Sequence, residues 1–118
     1  MIKIATARQL AMSLDEVTEE PHFEKTSFRV AKKIFATMNE PEKRLTVRLS
    51  TIDQDVFCSF DKNVIYPVPN GWGKHGWTHV NLRMIRKEML KDILTVSYCT
   101  VAPKKLADKY KADPDLQT

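Results

Sequence analysis

Two groups of residues in this chain could do chemistry, and both suit the holding of an anion. The first is a set of cations: Lys25, Arg29, Lys32 and Lys33, then Lys43, Arg44 and Arg48. Side chains spaced in this way can neutralise successive phosphates of a polyanion, displacing condensed counterions as they do so. The second is the segment from Pro69 to Trp77, which holds all three glycines of the chain together with Trp72, Lys74, His75 and Trp77. An indole beside a flexible backbone can stack on a base or another planar ligand, and Lys74 can meet a phosphate or carboxylate. Neither the Walker spacing nor a dinucleotide fingerprint occurs there. The plainer reading is that lysine and arginine solvate exposed positions, that Trp72 packs over a sheet edge, and that Trp77 is buried at a strand start.

Other chemistries find less support. His22, His75 and His79 are far apart, without a helical His-x-x-x-His pair or a nearby cysteine, so no metal site is expected. Asp15, Glu16, Glu19, Glu20 and Glu24 crowd together, but do not repeat along one helical face, and read as a solvated acidic cluster. Ser27, Ser59, Ser97, Cys58 and Cys99 lie in no nucleophile elbow and beside no paired histidine, while Asp53 and Asp55 suit a helix start. The expectation is a protein without catalysis and without a cofactor.

These groups sit in a chain of 118 residues with 42% hydrophobic and 29% charged residues, the balance of one folded domain over residues 1–118. Net charge is +4, and all but two of the 19 basic residues lie from Lys25 onward. That asymmetry can set a positive face opposite a negative one. No apolar run is long enough to span a membrane. Charge interrupts Met1-Ile2-Lys3-Ile4-Ala5-Thr6 too early for a secretory signal, so the expected compartment is the cytoplasm, with Cys58 and Cys99 as reduced, buried apolar residues.

The elements that position the cations follow from periodicity. Ala7, Leu10, Ala11 and Leu14 predict a short helix capped by Thr6. Alternation predicts strands over Thr26–Val30, Ile34–Met38 and Leu45–Leu49, placing Arg29 and Arg48 away from their apolar neighbours and Lys32 and Lys33 at a hairpin tip. A helix is expected from Ile52 to Phe60, with Ile52, Val56 and Phe60 facing the core. Short strands follow at Val64–Tyr66 and Trp77–Leu82. A long helix from Ile85 to Ala102 sets Met89, Leu90, Ile93, Leu94, Ser97 and Val101 on one face, one more helical turn runs from Pro103 to Tyr110, and residues 113–118 are read as a frayed end. The result is an α+β domain of order α-βββ-α-ββ-α, with about five antiparallel strands packed on helices.

Pro21-His22-Phe23, Ser27-Phe28-Arg29-Val30, Lys33-Ile34-Phe35-Ala36, Gly71-Trp72-Gly73-Lys74-His75-Gly76-Trp77, Ser97-Tyr98 and Val101-Ala102-Pro103-Lys104-Lys105 follow in order. From about Thr6 to Ala107 this set resembles the MmcQ/YjbR family of small bacterial proteins. The resemblance implies a fold similar to the CyaY/frataxin type, and the family is described as DNA-binding because its hairpins suggest a double-wing arrangement. Shape alone does not fix function. The leading expectation is DNA binding through Lys25, Arg29, Lys32, Lys33, Lys43, Arg44 and Arg48, with Trp72 and Lys74 as a second contact point. The alternatives are a protein-interaction module or a small-ligand binder using the glycine-tryptophan segment, in a monomer or weak dimer without a membrane partner.

Overall fold

In the computed structural model, which describes residues 1–110, a six-stranded antiparallel sheet of order β1-β2-β3-β4-β6-β5 is packed on helices. Strands β2 (Lys25–Val30), β3 (Lys33–Asn39) and β4 (Arg44–Arg48) form the expected meander, and β6 (Trp77–Asn81) pairs with β4. The β2–β3 turn places Ala31 and Lys32 at φ of 51° and 68°, a two-residue left-handed turn matching the twist of the strands it joins. Period-two alternation sends Phe28, Ala36, Met38, Leu45, Val47 and Val80 to one face, all but completely buried. Across them lies α4 (Lys87–Val101), contributing Leu90, Ile93, Leu94 and Tyr98. A bulge between β2 and β3 makes consecutive Phe35 and Ala36 both inward-facing. The Phe35 ring meets the Tyr98 ring edge-on at 5.7 Å.

Several elements differ from expectation. The first helix, α1 (Ile4–Met12), has Lys3 in its N-cap position, three residues before the expected Thr6 cap, and buries Ala7 and Ala11. An additional strand, β1 (Thr18–His22), runs through the acidic cluster as an edge strand on β2. Nearly every residue of it is exposed, so no alternation marks it. The glycine-rich segment forms a four-residue helix, α3 (Gly71–Lys74), between β5 (Ile65–Pro67) and β6. The observed order is therefore α-ββββ-α-β-α-β-α-α, closing with α5 (Lys104–Ala107). The proposed frayed end at 113–118 lies outside the described residues.

The correction at α2 (Thr51–Cys58) matters most for the site. Ile52, Val56 and Phe60 are 75%, 53% and 62% exposed, the opposite of the expected core face. Gln54 is the buried residue instead. Its Nε2 donates to Gly73 O at 2.9 Å, to Thr78 Oγ1 at 3.1 Å and to Trp77 O at 3.2 Å. Phe57 and Cys58, three and four residues on from Gln54, pack against the core on the same face, so this two-turn helix turns inward a face that joins apolar contact with the amide bridge. Ser50 caps it, its Oγ accepting from Asp53 N.

Candidate nucleic-acid interface

The face of the sheet turned away from α4 is polar and half-exposed, and the strand register dictates which residues it carries. Thr37 pairs with Thr46 and Thr46 with His79, which pairs in turn with Tyr66. One step along, Arg44 pairs with Asn81, and Arg48 pairs with Trp77 at the other end of β4. On β2 the same face carries Lys25, Ser27 and Arg29, because side chains two apart share a face. The segment Val68–Asn70 and α3 rise along one side and enclose a concavity of about 430 Å³. Lys25, Arg44, Thr46, Trp72, Trp77 and His79 are among its lining residues, and no carboxylate is.

Local bonds hold this wall in place. Asn70 Oδ1 accepts from Trp72 N at 2.8 Å, and Gln54 ties Gly73 to α2. Trp72 is thereby fixed by its backbone while remaining 63% exposed. The Arg48 guanidinium lies over the half-buried Trp77 ring, 5.9 Å from its centroid, a cation–π contact. Nε of Arg44 is buried with no hydrogen-bond partner among the described residues. A guanidinium so placed keeps donor capacity for an anion.

His79 is the electrostatic reporter of the site. Burial, then the charges of Arg44 and Lys25, press its pKa from 6.5 down to about 4. The neutral ring shares a 2.8 Å hydrogen bond with Thr46 Oγ1 through Nδ1 and meets the Tyr66 ring at 5.4 Å. Since the unfolded chain takes up this proton near pH 6.5 and the folded chain only near 4, stability is full above that window and falls as pH drops through it. Discounted for solvent screening, the His79 contribution is about 1 kcal/mol. Denaturant titrations at pH 7 and pH 4 should show His79→Gln losing less stability than the parent across that interval.

The nine sequence-predicted residues do not form one cluster. Lys25, Arg44 and Trp72 meet at the concavity. Arg29 and Arg48 share the open face but are engaged, Arg29 Nε donating to Ser27 Oγ at 3.0 Å and lying 3.9 Å from Glu20, and Arg48 stacking on Trp77. Lys32 and Lys33 stand exposed at the β2–β3 tip, near the Arg48 end of the sheet. Lys43 is half-buried at the β3–β4 turn, and Lys74 is exposed on α3 outside the concavity lining. Thr46, Trp77 and His79 were missed as site residues. Strand parity linked Trp77 with His79, but nothing local shows that both lie beside β4.

Alternative chemistries are committed elsewhere. The buried Ser97 hydroxyl donates to Phe35 O at 2.6 Å and accepts from Arg48 N at 3.1 Å, joining α4 to the bulge and to β4. Burial and neighbouring Asp55 push the Cys58 thiol up, away from the reactive thiolate. In the acidic cluster, Glu19 pairs with Arg8 at 3.1 Å and Asp15 with Lys109 at 2.7 Å. Among the described residues, no helix is long and apolar enough to cross a membrane.

An antiparallel sheet with one helix-covered face and one open face defines an α+β protein. The YjbR family model matches residues 12–100, and the chain belongs to that family. Among solved structures, it is similar to the crystal structure of Deinococcus radiodurans protein DR2400, of the DUF419 domain family. The TM-score is 0.74 at 20% identity, covering 96% of this chain and 91% of that one, a likeness of fold. Comparison with curated proteins finds no match.

Proposed function

We propose that this protein is a non-catalytic nucleic-acid-binding protein whose open sheet face receives the phosphate backbone. The observation that carries the reading is the meeting of Lys25 and Arg44 at one concavity with no carboxylate in its lining. From Arg44 to Arg48 the face runs four residues along β4, roughly 13 Å at about 3.3 Å per residue. Lys32 and Lys33 extend the positive track beyond that end, and Lys43 and Lys74 flank it. Such a track attracts polyanions most strongly at low salt.

The test is fluorescence anisotropy of labelled oligonucleotides, single-stranded and duplex, titrated at low and moderate salt. Affinity should fall as salt rises. Lys25→Glu with Arg44→Glu should lower it about tenfold or more and flatten the salt dependence by about two contacts. Lys32→Glu with Lys33→Glu should weaken binding as well, with the fold intact by circular dichroism. Absence of binding to every oligonucleotide at low salt, or affinity unchanged in both double variants, overturns the reading.

A further inference from the structure

We infer that the concavity beside α3 is a stacking site for an unpaired base, so that the open face takes single-stranded nucleic acid in preference to duplex. The inference rests on the nucleic-acid reading above and specifies its substrate class.

The topology argues against groove insertion. A free two-stranded ribbon can enter the major groove of a duplex. Here the β2–β3 hairpin is flanked by β1 on one side and β4 on the other, within a six-stranded sheet. Its turn is only Ala31 and Lys32. Lysines at such a tip can touch a backbone, but the hairpin cannot be laid into a groove as a ribbon.

The aromatic residues argue for bases. Trp72, Trp77 and His79 line one concavity, with Tyr66 edge-on to His79. Trp77 already has Arg48 over its ring, whereas Trp72 is largely exposed on a short helix pinned by Asn70 and Gln54. An exposed indole on a backbone held in this way offers its face to any base. Arg44 and Lys25, lining the same concavity, supply charge for the adjoining phosphate. In duplex the base faces are stacked on one another, and this indole would have nothing to meet. The neutral state of His79 fits the same use, since an uncharged ring lining the concavity leaves the charge there to Arg44 and Lys25.

The experiment compares three labelled probes of about 12 nucleotides at low salt: oligothymidylate, a duplex of equal length, and an abasic strand with the same backbone charge. Oligothymidylate should bind about tenfold tighter than either of the others and quench tryptophan fluorescence, which the abasic strand should not. Trp72→Ala should reduce oligothymidylate affinity about tenfold while leaving abasic-strand affinity unchanged, and Trp72→Phe should restore part of the loss. Equal affinity for the abasic strand and oligothymidylate, or duplex binding as tight with no effect of Trp72→Ala, overturns base stacking and leaves the phosphate reading standing. Failure of all three probes to bind overturns both.

Discussion

Replacing Gly76 by alanine is expected to destabilise the fold by about 4 kcal/mol, a large share of the stability of a domain this size. Gly76 has φ of +96°, a region that side chains disfavour, and a Cβ built on it would lie 1.8 Å from the carbonyl oxygen of Leu49. That oxygen belongs to the backbone just beyond β4 and cannot swing away as a side-chain tip would. Nor can Gly76 retreat easily, because its own carbonyl accepts from Leu49 N at 2.9 Å and from Thr78 Oγ1 at 3.0 Å. The close approach is how the chain enters β6 beside the end of β4. Thermal unfolding followed by circular dichroism should show Gly76→Ala melting on the order of 15 °C lower. Gly71→Ala is the internal control. Nothing lies within 4 Å of its Cβ, so its melting temperature should stay close to the parent value. Equal behaviour of the two variants would contradict this account.

Gln54→Ala is expected to cost about 2 kcal/mol and, separately, to loosen the site. The Gln54 amide joins α2 to Gly73, Trp77 and Thr78, all of them around the segment that presents Trp72. Gly73 O and Trp77 O keep backbone donors in Gly76 N and Val68 N, so sheet and α3 can persist while their tie to α2 is lost. The expected signature is therefore double. Denaturant midpoints fall, and oligonucleotide affinity falls severalfold under conditions where the variant is still fully folded. If stability fell with affinity unchanged, α2 would have no part in holding the tryptophan wall.

Much of the fold was legible because burial writes a period into the chain. Phe28 and Val30, then Leu45 and Val47, alternate with polar partners and gave their strands. Leu90, Ile93, Leu94 and Ser97 gave the α4 face. Where burial writes no period, the reading failed. Thr18 to His22 pair only with β2 and bury nothing, so a strand there looked like an acidic turn. In α2 the stripe of Ile52, Val56 and Phe60 was the wrong face, because the helix turns Gln54, with its three acceptors, inward together with Phe57 and Cys58. The site divides along the same line. Strand parity placed Arg29 and Arg48 on the outer face, and the β2–β3–β4 meander brings Lys25 and Arg44 to it, but Trp72 joins them only through pairing of β4 with β6. Thr46 and His79 touch across 33 residues of sequence, a distance over which local patterns are silent.

The two rims of the sheet limit how the protein can associate. β1 is a five-residue rim bearing Glu19, Glu20 and Pro21, and β5 is a three-residue rim that ends at Pro67. Proline has no N–H to offer an incoming strand, and short, charged rims make poor templates for one. A second copy, or an extended peptide, therefore finds no good place to continue the ladder. Association without rearrangement is left to the broad surfaces: the open basic face, where like charges repel, or the helical side, where Ile52, Val56 and Phe60 lie bare. Counter-charge that screens Lys25 and Arg44 would lower the first barrier, so a bound polyanion could bring two copies together where the sheet rims cannot.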